Sequence, residues 1–263
     1  MNKLRTIKIV GIVILSVLAM YMLLFDHTFK GMVVPYDFIQ DCEIAVDGNQ
    51  VNIRGEFMNK DWKVQDIKYT ERNGVVRVEV IQGPRSPYNS NRFDEELTIT
   101  SGGKAITHEI TEVWIENKIA WDQGVFICKE TSKLYNENFS SAKDELGFAR
   151  LVIASGVDAT IGEYDLTFDE ETPNELILTT NMKFSSDIKS DVENKLMKYT
   201  CVLIGAAEQL EKVTYNYFID DEVETLTINE ADVERFAGVS VKEQFKSPKD
   251  LQEMLYSIEF IES

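Results

Sequence analysis

The sequence predicts an N-terminal transmembrane helix, then an all-β sandwich-like domain, then an α+β domain with an antiparallel sheet. Three observations carry that expectation. Ile9 to Phe25 is a run of 17 residues without a charge, placed behind a basic start. From Asp41 to about Lys129 apolar residues recur with the period of two that a half-buried strand requires. From Ser140 onward helical periods alternate with strand pairs, in the order helix, hairpin, helix, hairpin, helix. The expected divisions are 1–30 for a cytoplasmic N-terminus and anchor, 31–130 for the β domain and 131–263 for the α+β domain.

The anchor comes first. Lys3, Arg5 and Lys8 precede the apolar run, and Asp26 closes it. As a helix the run would span about 25 Å, near the lower limit for a bilayer core. Lys8 can lengthen it by snorkelling. Cations before the run and none just after it orient the N-terminus toward the cytoplasm. A cleaved signal peptide has a similar outline. Cleavage wants small residues at spaced positions, and Ala19 is followed by Met20, Tyr21, Met22, Leu23 and Leu24. A lipoprotein signal needs a cysteine directly after the run, and the first is Cys42. An uncleaved anchor is the stronger of the two main readings. Both place residues 26–263 across a membrane.

That portion carries a formal charge of −21, because three of the 27 Lys and Arg precede it and all 45 Asp and Glu lie within it. Such a surface repels nucleic acid and anionic lipid and favours cationic partners. The cysteines are Cys42, Cys128 and Cys201. An odd count excludes a complete disulfide framework. Cys42 and Cys128 bracket the β domain, and an oxidising compartment would allow them to pair. Cys201 sits in a helical pattern and reads as a small core residue.

In the β half, Ile44 and Val46 lead through Asp47-Gly48-Asn49 to Val51 and Ile53, a hairpin signature. Lys63 to Thr70 reads as a strand. Asn73-Gly74 is a type I′ turn signal, after which Val76, Val78 and Val80 alternate with Arg77 and Glu79. Phe93, Leu97 and Ile99 mark another strand. Two more run over Ile110–Ile115 and Ile119–Phe126 around Glu116-Asn117. About seven short strands without a helix suggest a small sandwich. Thr131–Phe139 is read as a link.

In the second half Ser140 or Ser141 is expected to cap a helix that ends at Gly156. Tyr164, Leu166 and Phe168 make one strand, and Leu176, Leu178 and Met182 the next. Ile188, Val192, Leu196, Tyr199, Leu203, Ala206 and Leu210 form one helical stripe. Val213 to Ile219 and Val223 to Ile228 form a hairpin around Asp220-Asp221. Asn229 caps a short helix ending at Gly238. Ser247-Pro248 opens the last, with Leu251, Met254, Leu255 and Ile258 as its buried face.

Two stretches of this half carry a resemblance. They are Cys201-Val-Leu-Ile-Gly-Ala-Ala-Glu-Gln-Leu-Glu-Lys-Val-Thr-Tyr215 and Phe245-Lys-Ser-Pro-Lys-Asp-Leu-Gln-Glu-Met-Leu255. Over about residues 131–260 the chain resembles an uncharacterised C-terminal domain family of Gram-positive bacteria. That family accompanies BlaR/MecR-type membrane peptidase sensors and occurs in stand-alone anchored proteins. The first half looks, more faintly, like the small β-domain that often accompanies such sensors. The resemblance implies a cell-envelope setting and a regulatory role. It transfers no catalytic residue.

Candidate chemistry is sparse. His108-Glu109-Ile-Thr-Glu112 is half of a zinc-peptidase motif, lacks the second His and lies in strand pattern. Ser140-Ser-Ala-Lys143 fits the Ser-x-x-Lys of penicillin-recognising proteins, but so does Ser101-Gly-Gly-Lys104, and no Lys-Thr-Gly occurs. Trp62, Trp114 and Trp121 read as packing residues. No catalytic, metal-binding or cofactor-binding residue is assigned and no cofactor is expected. The binding candidate is Gly83–Arg92, a polar loop that concentrates Arg85, Tyr88 and Arg92 in a chain short of cations; an ordinary crossover between sheets is the bland alternative. The expectation is a membrane-anchored, extracytoplasmic, non-enzymatic protein that binds an envelope or membrane partner. The competing readings are an envelope hydrolase using scattered acidic residues and a passive spacer.

Overall fold

A computed structural model describes residues 31–84, 87, 89–138, 144–168 and 174–261. The run Ile9–Phe25, and with it the expected anchor, lies outside them. Among the described residues no helix is long and apolar enough to cross a membrane. The chain divides into two compact units, Met1–Asn117 and Lys118–Ser263. What is described is a β-rich α+β protein, and the architecture expected from the sequence is corrected in both units.

The first unit holds β1 (Met32–Val33), β2 (Ile39–Asp47), β3 (Gln50–Phe57), β4 (Val64–Arg72), β5 (Val75–Gln82), β6 (Arg92–Thr98), β7 (Thr100–Ser101), β8 (Lys104–Ala105) and β9 (Glu112–Ile115). β2, β3 and β6 form one antiparallel sheet in the order β2-β3-β6. In the other sheet β5 pairs along its length with β4 and at its end with β1. β4 and β5 meet at Asn73-Gly74, whose φ angles of 54° and 86° match the type I′ turn its sequence signals.

β9 departs from the hairpin pairing of β2–β3 and β4–β5: it pairs with β5 in parallel, Val75 opposite Glu112. The chain leaves β5, crosses to the other sheet to build β6, and returns to run β9 in the direction of β5. A parallel neighbour needs such a crossover, whereas a hairpin would have reversed it. Tyr69 on β4 ties the crossover down. Its hydroxyl donates to the Thr98 carbonyl at 2.8 Å and accepts the Thr100 amide at 3.2 Å. Val51, Ile53, Phe57 and Phe93 from one sheet and Val76, Val78, Val80, Val113 and Ile115 from the other are buried.

The second unit begins with a short hairpin, β10 (Lys118–Asp122) and β11 (Val125–Phe126). Then come α1 (Lys129–Asn136), α2 (Glu145–Ser155), α3 (Val157–Ile161), β12 (Tyr164–Phe168), β13 (Glu175–Phe184), α4 (Lys189–Ala206), β14 (Lys212–Ile219), β15 (Glu222–Asn229), α5 (Glu230–Ala237), α6 (Val241–Gln244) and α7 (Pro248–Ser257). α1 occupies what reads in the sequence as a link. Its buried residues are Thr131, Ser132 and Leu134, so it lacks an apolar stripe.

Local capping signals appear in the expected places, with one change. Asp144 caps α2, accepting the Gly147 amide at 2.8 Å; Ser140 and Ser141 lie outside the described residues. Gly156 ends α2 in the left-handed conformation. Asn229 and Asp232 form a capping box at α5, and Ser247 caps α7 with Pro248 behind it.

The sheet of this unit runs β12-β13-β14-β15. It was expected to be antiparallel, and it is mixed. The two hairpins are antiparallel, but β13 and β14 are parallel, Leu176 opposite Val213 and Leu178 opposite Tyr215. α4 is the reason. An 18-residue helix between two strands carries the chain back to the end where β13 began, so β14 must run the same way. α4 packs on β14 and β15 and against α2, α5 and α6. Leu196, Leu203, Tyr215, Leu251, Leu255 and Phe148 belong to the single core below it.

Candidate functional site

The site is built on the outer face of the β2-β3-β6 sheet. On β3, Val51, Ile53 and Phe57 are buried, while Asn52 and Arg54 point to solvent. On β6, Phe93 is buried between exposed Arg92 and Asp94. Register places Gln40 opposite Glu56 and Glu56 opposite Arg92. One step along, Glu43 stands opposite Arg54 and Arg54 opposite Asp94. Two charged rows therefore cross all three strands.

The second row depends on a bulge. Between Gln40 and Glu43 the register shifts, and Asp41 takes a φ of 49°. Strict alternation would put Cys42 on the face of Gln40. The extra residue moves Glu43 there instead, where it pairs with Arg54. Gly55 sits opposite the bulge. A Cβ there would lie 2.9 Å from the Phe93 ring and 3.0 Å from Ile39, so the backbone of β3 approaches its neighbours closely at this point.

In the first row Glu56 is the hub. Its carboxylate accepts from Gln40 and, at 2.5 Å, from the Arg92 guanidinium. Its side chain is 12% exposed, against 76% for Arg92. The Arg92 and Gln40 hydrogen bonds hold the Glu56 carboxyl below the usual glutamate range. Asp41, Glu43, Arg54, Glu56, Arg92 and Asp94 line an open groove of about 490 Å³, and a smaller hollow of about 280 Å³ continues from it past Ala45 and Asn52. Four carboxylates face two guanidiniums, so the groove is net negative.

Arg92 thus lies in this groove. Arg85 and Tyr88 lie outside the described residues. The end of the predicted loop is anchored: the Ser90 carbonyl accepts the Val64 amide at 2.9 Å, and Asn91 exchanges hydrogen bonds with the Phe57 backbone. Gln40, Glu43, Arg54, Glu56 and Asp94 were not singled out from the sequence. The only local signal for them is charge recurring at every second residue, and their partnership depends on register.

The other candidate motifs resolve into structure. His108 pairs with Glu71, while Glu112 accepts from the Trp114 indole at 2.6 Å, so the half zinc motif is split. Among the described residues no group of three or more His, Cys, Asp or Glu is placed to hold a metal. Ser101–Lys104 is the β7–β8 turn, not a helix start, and Ser140–Lys143 lies outside the described residues. Trp62 packs on Phe38 and Phe57, Trp114 lies under the Arg77 guanidinium at 4.7 Å, and Trp121 is buried. None of the three cysteines is in a disulfide. Burial pushes the Cys201 thiol up to about 12 and raises that of Cys128, which makes both poor nucleophiles at neutral pH. Comparison with protein families, with curated proteins and with solved structures finds no match for the chain.

Proposed function

We propose that this chain is a non-enzymatic, partner-binding protein of the bacterial cell envelope, located outside the cytoplasm at the cell membrane, where it regulates or reports on its partner. The observation that carries the binding reading is the groove on the β2-β3-β6 sheet. Cross-strand register sets its charged rows side by side before any partner arrives, so the backbone of the surface needs no rearrangement on binding. Its net negative charge suits an extended basic segment of another envelope protein, whose cations would meet Asp41, Glu43 and Asp94. Recognition through side chains fits better than strand addition, because β6 carries Arg92, Asp94, Glu95 and Glu96, the kind of charge that blunts a sheet edge. The groove lining offers charge recognition and no activated nucleophile. The location rests on the basic start and apolar run of residues 3–25 and on the −21 charge of the remainder.

A photo-crosslinking residue at exposed Ala45, activated in native membranes, tests the proposal. The expected result is a discrete adduct that disappears in the double variant Glu43→Lys, Asp94→Lys. Recovery of monomer alone, under conditions that capture a control complex, overturns the reading; so does an adduct indifferent to the charge reversal. Protease added to intact spheroplasts should digest the groove-bearing unit. Full protection would sink the proposed location.

A further inference from the structure

Away from the groove, the crossover that returns the chain to β9 is fastened at one carboxylate. Glu71, at the end of β4, is enclosed, with its side chain 2% exposed. It accepts the Gly74 amide at 3.0 Å and lies 2.8 Å from His108 Nε2; Ser101 also bonds to it. Three segments converge on this group: the β4–β5 turn, the β7–β8 hairpin and the connection 106–111. The connection is held at the same turn by its backbone, since the Thr111 amide donates to the Gly74 carbonyl at 2.9 Å. The bonds from Gly74 and then His108 keep the Glu71 carboxyl below the usual range, so it is ionised throughout the neutral region.

We infer that His108 and Glu71 form a pH-sensitive latch that closes the crossover onto the β4–β5 turn as the medium acidifies. The ring is half exposed, so a proton reaches it from solvent. Glu71 is the charged group within ion-pair distance of it among the described residues; Lys104, Glu109 and Glu112 are the charges nearest in sequence. When the ring is neutral, Nε2–H donates one hydrogen bond to the carboxylate and brings no charge of its own. When it is protonated, the same contact becomes an ion pair to an enclosed carboxylate, which is stronger. His108 is the one histidine among the described residues. The acid form therefore holds the start of β9 more firmly.

Hydrogen exchange of the Thr111 amide from pH 8 to pH 5.5, corrected for intrinsic rate, tests the latch. In the parent chain the protection factor should rise about threefold across this range, the size of a part-exposed ion pair. His108→Gln should abolish the rise, and Glu71→Gln, which keeps the acceptor for Gly74, should abolish it too. The Phe57 amide, bonded to the Asn91 carbonyl on the other sheet, serves as the control and should show no change. A Thr111 profile identical in the parent and His108→Gln overturns the inference. So does a rise that survives Glu71→Gln.

Discussion

Both units carry a sheet with a polar face, and the two faces are built differently. On the β2-β3-β6 sheet the polar rows are ion pairs with exposed members; Arg54 and Glu43 are 57% and 62% exposed. On the β12–β15 sheet the polar face is a network of hydroxyls and amides. Asn216 donates to Thr179, Thr225 donates to Asn216, and Thr214 and Thr227 lie 3.0 Å apart. The ion pair of Lys212 with Glu175 at 2.6 Å sits at a buried carboxylate that also accepts from the Thr214 hydroxyl, while Lys183 pairs with Asp221 out in solvent at the sheet's end. Exposed pairs contribute little to stability because water and salt screen them, so they remain free to exchange partners. Buried, saturated groups are costly to disturb. One face is therefore suited to recognition and the other to holding strands in register.

That contrast can be broken by mutation, starting in the core of the second unit. Leu203→Ala, at a fully buried site on α4, should cost about 2–5 kcal/mol in urea unfolding. A loss under about 1 kcal/mol would mean that α4 is not the keystone of that core. Glu175→Ala should come next, at about 1–3 kcal/mol, because it removes a buried acceptor that serves both the Thr214 hydroxyl and the Lys212 amine. If it cost no more than a surface change, the two polar faces would not differ in kind. Tyr215→Phe should cost about 1 kcal/mol, since its hydroxyl, buried on the core side of the sheet, lies 3.0 Å from the Thr200 hydroxyl on α4. Glu43→Gln on the first unit should change stability by about 0.5 kcal/mol or less while weakening the partner adduct.

The pH behaviour of Glu56 sharpens the comparison further. Its folded carboxyl titrates below the unfolded value because Arg92 and Gln40 favour the charged form. The stabilisation is thus fully present above the unfolded glutamate value and fades as pH falls through the folded one. Carboxyl NMR of Arg92→Ala should show the Glu56 midpoint moving up. An unmoved midpoint would leave Gln40 as its dominant partner.

Much of the local structure was legible. Asn73-Gly74, Asn229, Gly156, Gly238 and Ser247-Pro248 act through their own backbones or through residues within four positions, so the chemistry is written in neighbouring letters. α1 was hidden because its buried side joins Leu134 to Thr131 and Ser132, which carry no apolar signal. The groove was legible only at Arg92. Its other members look like ordinary surface charges until strand pairing sets Gln40, Glu56 and Arg92 in one row.

The amino-acid order alone therefore determined the longer strands and helices, where many of them stop, and that the chain beyond residue 25 is strongly acidic. The tertiary structure decided the parallel pairing of β13 with β14 and of β5 with β9, and the phase of β2. Pairing direction depends on where a crossover lands, many residues away, and a local pattern of period two fits either direction equally well. The phase of β2 depends on one extra residue at Asp41, opposite Gly55, where the strands pack too closely for a side chain. Those long-range choices, more than the composition, place the charges that make the groove.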